Sequence, residues 1–566
     1  MIKDPSSPTS GISGRRSTTL SSARQGAGRF LFLFSLLMIS RVVVIAQPVY
    51  EHVYHEAAYD YLDELANDGY ITLTDVVKPY TRSYIRGKLL SVDSMNLAAM
   101  TQRQVADYTF FCRAFHTGRQ EGIDARLRYA EIAYHDSMVA FSFRPVMGLD
   151  YYSNENGTLL HRRNGAEAFM GISRHFGIYA SLRDNYHSGI LTNPAFVNQT
   201  PGALYKLHGE GGDFSEMRGG VAYENEWLTL AVVKDHITWG TNYHGANIFS
   251  AKAPSFAQIK LRLHPVSWFE LNYFHAWLVS EVVDSLRSYN YTNAYGINTR
   301  YVYHPKYLAA NIFTFKPWWG VNLSFGNSIV YSDIGIQPAF LIPVMFFKSV
   351  DHTLNGVNNY AGQNAQMFLD FSIRKIKHLH LYSTLFIDEI SIKRMFDKEQ
   401  HSNFISFKAG GRLSNYPVAN LSFTAEYTRT NPLVYKHIVP TTTFESNRYN
   451  LGHHLMDNAE EFYAGCTFRP FSKGTRLRAH AWYSFSRKGD DYNNEGTFRW
   501  GLPFIEHERW RQTEAGISIQ WEVFYNASFL ISYRYAKTSG DELSVLTPEL
   551  FRGKTNTLLA TARIGI

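Results

Sequence analysis

The chain predicts an all-β transmembrane protein, an outer-membrane antiparallel β-barrel of about 18 strands with a small N-terminal α-helical bundle. Three observations lead there. From about residue 138 to Ile566, segments of about ten residues alternate apolar with polar, separated in turn by tight turns and long polar loops. Aromatic residues make up 15% of the chain, yet mean hydropathy is only -0.24. That combination suits strands in which only alternate residues meet lipid and aromatic girdles mark the interfaces. After the N-terminus there is no uncharged apolar run near the twenty or so residues that a membrane helix needs.

Residues 1–46 read as a signal peptide. Arg-containing residues precede the apolar run Phe30 to Ile39, and Val44-Ile45-Ala46 offers small residues for cleavage before Gln47. This segment carries Lys3, Arg15, Arg16, Arg24, Arg29 and Arg41 against Asp4 alone, so it holds five of the seven net positive charges. The remainder is close to neutral and has no concentrated basic surface, so no nucleic-acid partner is expected.

Residues 47–125 predict a periplasmic helical segment. Ala58, Tyr61, Leu62 and Leu65 fall at helical spacing, and Gly69 is placed as a stop. Lys78-Pro79-Tyr80-Thr81 opens a second helix with Thr81 as N-cap, and a third follows Thr101 with Val105, Tyr108, Phe111 and Cys112. These helices are expected to plug the periplasmic mouth or to offer a docking face to other envelope proteins.

Residues 126–566 predict the barrel. In Thr475 to Arg487, Leu477, Ala479, Ala481, Tyr483 and Phe485 share one face, while Arg476, Arg478, His480, Trp482, Ser484 and Ser486 share the other. Leu421, Phe423, Ala425 and Tyr427 repeat the pattern, as do Phe529, Ile531, Tyr533 and Tyr535. Short turns are expected near 174–177, 224–227, 264–267, 304–306, 376–378, 416–419, 470–474 and 522–526, and long surface loops between them. About nineteen strand-like segments can be drawn, the odd one lying between Ala294 and Tyr331. Eighteen results if one of these does not span, and twenty if Ala339–Phe347 adds another. The last strand, with Leu558, Ala560, Ala562, Ile564 and Ile566 on one face, is expected to close onto the first, since an open edge in lipid leaves backbone groups unpaired.

The inferred lumen face carries both signs of charge, among them Lys408, Arg412, Arg476 and Arg478 against Asp370, Asp388 and Glu426. An internal salt-bridge network is the simpler expectation, and a polar path for an acidic ligand the alternative. The two cysteines, Cys112 and Cys466, are not expected to pair. The His453-His454 pair near Asp457 reads as a solvated loop pair rather than a metal site. No nucleophile elbow, H-E-x-x-H or Gly-rich phosphate loop is present, so no catalytic residue, metal or cofactor is expected.

Val233 to Leu261 reads VKDHITWGTNYHGANIFSAKAPSFAQIKL. Trp239-Gly240, Gly245, Ser250, Ala253-Pro254 and the Ile259/Leu261 strand resemble a segment of the Wzi-type capsule assembly proteins, departing at Thr241-Asn242-Tyr243-His244. Asn364-Ala365, Leu369-Asp370, Leu381-Tyr382 and Ile387-Asp388-Glu389 resemble the paired strands of that family. Leu62, Leu65, Gly69 and Lys78-Pro79 look like its Bacteroidota-type and gliding-motility-associated relatives. The resemblance implies an eighteen-stranded outer-membrane barrel that attaches capsular or exopolysaccharide to the cell surface without catalysis. Trp239, Tyr243, His244, Tyr435 and Trp500, in predicted loops, are the candidate sugar-binding residues, with Tyr289, Tyr291 and Tyr492 as further aromatic positions. A transport barrel, a surface adhesion or gliding component and a rim-site hydrolase are the alternatives.

Overall fold

The computed structural model describes residues 47–115, 122–126, 131–356, 362–472, 475–492, 499–525 and 527–565. The expected signal peptide, residues 1–46, lies outside them.

Eighteen antiparallel strands close into one barrel. They are β1 (Val139–Asn154), β2 (Gly157–Ile172), β3 (Phe176–His187), β4 (Gly211–Glu224), β5 (Leu228–Asp235) and β6 (Phe256–Val266). β7 (Phe269–Val283), β8 (Tyr303–Trp318), β9 (Val321–Ser332), β10 (Asn364–Ile373), β11 (Leu379–Glu389) and β12 (Phe404–Ser414) follow. β13 (Leu421–Thr430), β14 (Ala459–Phe468), β15 (Thr475–Lys488), β16 (Trp510–Phe524), β17 (Ala527–Ser539) and β18 (Lys554–Ile564) complete it.

Each strand pairs with its sequence neighbour, and β18 closes onto β1 with Leu558 opposite Ser153 and Ile564 opposite Met147. The lower part of the same β1 edge, Ala140–Phe143, pairs instead with the short strand Glu131–His135. Both stretches of the β1 edge thereby have partners, as a lipid environment demands.

The alternation read from sequence is the one that separates lipid from lumen. Phe423, Tyr427, Ile531, Tyr533 and Leu558 are exposed on the outer face. Ser422, Glu426, Thr428, Ser484 and Ser486, on the opposite face, are buried. Trp227, Trp268 and Trp318 stand exposed beside the short turns, where an aromatic girdle belongs.

The strand count resolves at the uncertain stretch. Tyr289–Asn293 and Gly296–Arg300 pair only with each other, in a hairpin outside the barrel sheet, and account for the surplus segment. The turn expected at 304–306 is instead part of β8, and the chain reverses at 319–320. Ala339–Phe347 supplies no strand; a 3-10 turn, Pro338–Leu341, and a helix beginning at Phe347 pack Phe340 and Phe347 against Tyr273, Ile329 and Tyr331.

At the short-turn end lie α1 (Glu56–Asn67), α2 (Arg82–Leu90), the single-turn α3 (Ser94–Ala99) and α4 (Gln102–Ala114). Thr81 caps α2 by accepting from the Tyr84 amide at 3.1 Å. Thr101 and Gln104 form a reciprocal capping box on α4. Gly69, with φ +82, ends α1 in the left-handed conformation that glycine adopts without a Cβ penalty. Tyr61, Leu62, Leu65, Ile85 and Phe111 bury a small core that includes Tyr525 of the β16–β17 turn, so the bundle is anchored to the barrel. Cys112 and Cys466 are both free.

Candidate functional site

The segment between β5 and β6 does not project outward. Thr238–Trp239 pairs with Phe249–Ser250 and, on its other side, with Val77–Lys78 ahead of α2, forming a three-stranded sheet that joins this loop to the N-terminal segment. Trp239 is 1% exposed, with Phe249, Phe274 and Phe368 edge-on at 5.4, 5.1 and 6.2 Å. Gly240 follows with φ +97, where a Cβ would lie 3.1 Å from Thr384.

Three inner-face carboxylates hold the backbone of the infolded loops. Asp370 accepts from the Thr241 amide at 2.8 Å, and Glu426 accepts from the amides of Tyr243 at 2.6 Å and His244 at 3.1 Å. Asp388 accepts from the Tyr435 amide at 2.9 Å. Lys408 donates to Glu426 at 2.7 Å and to the His244 carbonyl at 2.9 Å. The Lys408–Glu426 pair is charge-assisted, and such bonds are among the stronger ones available in a buried site. These strand residues therefore fill the lumen with ordered backbone.

Tyr243 lies deep in this structure. Its hydroxyl is 2.8 Å from His380 Nδ1, its ring lies under Arg412 at 4.6 Å, and Asn67 of α1 reaches it at 3.4 Å. The β5–β6 loop thus meets α1 inside the barrel. Tyr435 is 3% exposed, packs on Phe386 and Phe444, and donates to the Asn247 carbonyl at 2.6 Å. Tyr492 is also buried, whereas Tyr289 and Tyr291 stand exposed on the outer hairpin. Trp239 and Tyr435, expected as open loop platforms, are core residues, because the loops that carry them turn inward. The segment 236–255 buries Ile237, Trp239, Ile248 and Phe249 almost completely.

His453 and His454, expected as solvated, are 1% and 4% exposed. They sit beside Glu461 at the start of β14, and the His244 ring stacks on Tyr463 with centroids 3.8 Å apart. Lys252, on the same infolded loop, donates to the carbonyls of Phe196 and His454, and burial alone pushes its ammonium down to about 7.

Trp500 is different. It is 39% exposed at the long-loop end, stacked on Phe404 at 5.8 Å, with the Arg394 guanidinium 4.9 Å from its ring. Beside it opens a cavity of about 180 Å³ lined by His401, Asn403, Phe404, Arg429, Asn431, Pro432 and residues 502–504. Arg429 lies 3.7 Å over the Phe504 ring and donates to Asn431 at 2.9 Å. None of the five candidate positions lines this cavity; Trp500 comes nearest to it, through its stacking on the lining residue Phe404. Its neighbours were missed because no spacing links residue 401 to 429 to 504; the run Trp500-Gly501-Leu502-Pro503-Phe504 was the one local signal.

At the opposite mouth the lumen cations find partners on α1. Arg469 reaches Asp60 at 2.7 Å and Glu64 at 3.2 Å, Arg412 reaches Asp60 at 3.4 Å, and Arg478 reaches Glu56 at 3.1 Å. Asn415 donates to Asp68 at 2.7 Å. Glu56, Asp60, Glu64 and Asp68 are spaced by four, an acidic stripe along one helix face that the sequence displays openly. Burial acts to raise the Asp60 carboxyl, but Arg412, Arg478 and Arg469 outweigh it and hold Asp60 well below the usual carboxylate range. Asp75 behaves alike: burial opposes ionisation, yet Arg374 at 2.8 Å, with His380 behind it, holds its carboxyl at about 2.

No protein-family model matches the chain, and neither does any curated protein. Among solved structures it is similar to Wzi of Escherichia coli, described as an outer-membrane protein involved in group 1 capsule assembly and a carbohydrate-binding β-barrel. That match has 10% identity and a TM-score of 0.54, and covers 93% of this chain and 99% of that one. OprD of Pseudomonas aeruginosa matches at 10% identity and TM-score 0.39, over 75% of this chain and 92% of its own. OccAB4 of Acinetobacter baumannii matches at 8% identity and TM-score 0.41, over 75% and 97%. The closed eighteen-strand sheet, its apolar outer belt and this likeness agree: the chain is an outer-membrane β-barrel whose fold resembles that of Wzi.

Proposed function

We propose that the protein binds capsular or exopolysaccharide at the cell surface, without catalysis, through the rim groove between Trp500 and Arg429. The observation that carries this reading is the groove itself. Trp500 and Phe504 present aromatic surface, Arg394 and Arg429 hold positive charge beside those rings, and Asn403 and Asn431 supply amides. Sugar C–H faces pack on aromatic rings, amides bond hydroxyls, and a guanidinium pairs a uronic carboxylate. The fold shared with a carbohydrate-binding barrel supports the same reading. Membership of the Wzi-type capsule assembly proteins belongs to this proposal and rests on the Trp239–Pro254 and Asn364–Glu389 stretches, and the Bacteroidota-type branch on Leu62, Leu65, Gly69 and Lys78-Pro79.

The filled lumen weighs against bulk transport. Infolded residues of the β5–β6 loop are bonded to Asp370 and Glu426 on the inner wall, and α1 meets them from below. The test compares polysaccharide retained on cells expressing the wild type, Trp500→Ala and Arg429→Ala, alongside glycan binding by the purified proteins. Loss of both in the variants, with unchanged protein in the membrane, is the expected result. Wild-type protein that binds no glycan from its own cells would overturn the proposal. An uptake defect or a loss of surface spreading with polysaccharide intact would redirect it to transport or motility.

A further inference from the structure

Two buried clusters of histidine and carboxylate lie outside the rim groove. In the first, Glu216 lies between His52 and His236, but Arg183 stands 3.2 Å from His52 Nε2 and 3.8 Å from the carboxylate. A guanidinium already supplies the positive charge there. The second cluster has no cation among its own members.

Glu461 is approached by three imidazole nitrogens: His454 Nε2 at 3.4 Å, His244 Nε2 at 3.5 Å and His453 Nε2 at 3.6 Å. A charged N–H···O pair closes to about 2.7–2.9 Å, so these separations are too long for good hydrogen bonds. The two to Oε1, from His454 and His244, match the edge of a coordination tetrahedron, while His453 meets the other oxygen, Oε2. Ligands about 2.0–2.2 Å from a zinc ion lie roughly 3.3–3.5 Å from one another. The ligand atoms of His453, His454 and Glu461 all lie within 4.8 Å of one another. His453 Nε2 and Glu461 Oε2 are buried without a hydrogen-bond partner. Such orphaned atoms are costly unless something else satisfies them.

We propose that His244, His453, His454 and Glu461 form a site for a divalent transition-metal ion, with zinc the best fit. Three imidazole nitrogens and one carboxylate are a donor set that suits zinc. The surroundings are those of a supported site. Ser486 donates to Glu461 Oε1 at 3.1 Å, and stacking on Tyr463 fixes the plane of the His244 ring. Gly245, at φ +72, lets the backbone pass the imidazoles; a Cβ there would come within 2.9 Å of His454 Nδ1. Two ammonium groups lie nearby: Lys408 is committed to Glu426, and Lys252 to the carbonyls of Phe196 and His454. Access is from the His244 side, where Gln199 makes an exposed contact with His244 Nε2 at 2.8 Å that the ion displaces. Bound there, the ion ties the infolded β5–β6 loop, through His244, to the β13–β14 loop and to the barrel wall, locking the infolded loop in place.

The experiment uses the full mature chain, purified in detergent and stripped with chelator. Zinc alone is titrated against a chromophoric chelator, and cobalt serves as a spectroscopic probe of geometry. The expected result is one equivalent of zinc bound, a tetrahedral cobalt spectrum and a higher unfolding temperature with metal. Glu461→Gln and His454→Gln lower the affinity by more than about tenfold. His244→Gln, at the accessible edge, does the same while keeping wild-type heat-dependent gel migration, which separates lost ligation from misfolding. Wild-type protein that takes up no zinc, or zinc uptake unchanged in both Glu461→Gln and His244→Gln, overturns the proposal.

Discussion

The guanidinium of Arg469, on the turn after β14, lies 2.7 Å from the Asp60 carboxylate on α1. Residues 409 positions apart thereby fasten the helical segment to the barrel mouth. Asp60 also meets Arg412 at 3.4 Å and Arg478 at 3.6 Å, so one helix carboxylate touches three cations of the barrel.

Removing that carboxylate takes from Arg412 the carboxylate it pairs with, while Arg469 and Arg478 keep Glu64 and Glu56. Asp60→Ala is expected to cost about 3 kcal/mol, the lower end for breaking a buried pair, because the aspartate keeps 18% of its side-chain exposure. Limited proteolysis reads the effect: residues 47–115 become cleavable while the barrel keeps its heat-dependent gel migration. Protection equal to wild type would show that the acidic stripe does not hold the helices.

Conductance separates the two fillings of the lumen. Wild-type protein in planar bilayers is expected to show no large steady channel. Replacing residues 241–247 with a Gly-Gly turn removes the backbone amides that Asp370 and Glu426 hold and should open a pore. Removing the helices alone should open less, because Trp239 and Phe249 remain packed among wall residues. A deletion of residues 50–115 that conducts as well as the loop replacement would reverse this ranking.

Trp239 and Trp500 should behave oppositely. Trp239→Ala empties a position that is 1% exposed and is expected to destabilise the barrel by about 3–5 kcal/mol. Trp500→Ala, at the exposed rim, should shift stability by no more than about 0.5 kcal/mol and weaken glycan binding instead. Thermal unfolding and glycan binding on the same preparations decide between them.

Acid should loosen the N-terminal segment in a defined window. The folded Asp75 carboxyl is held at about 2, below its unfolded value of about 3.9. Its contribution, roughly 2 kcal/mol, is therefore complete above about pH 4 and is lost as pH falls through 2. Proteolysis with an acid-active protease across this range should show progressive exposure of residues 47–115. Asp75→Asn should start from the weakened state and lose that step; an identical profile in the variant would assign the step to other groups.

Much of the barrel was written in period-two alternation, because the two faces of each strand meet different solvents. Phe423 and Tyr427 against Ser422 and Glu426 need no tertiary information to be sorted. The caps at Thr81 and Thr101 and the glycine stop at Gly69 are equally local, since each satisfies or ends a helix within a few residues. Inward charges such as Lys408, Arg412 and Glu426 were legible for the same reason.

What the tertiary structure alone decided is where the loops go. The stretch from Asp235 to Ser255 alternates too little to declare a face, and its partners, Val77, Asp370 and Glu426, lie between 129 and 183 residues along the chain from the residues they meet. Only a closed wall places those groups around one lumen, and so Trp239 and Tyr435 became core while Trp500 stayed at the rim. The convergence of His244 on His453, His454 and Glu461 arises in the same way, because two loops enter one mouth from different strands. Local pattern fixes which side of a strand meets lipid; long-range closure fixes which loop residues meet each other.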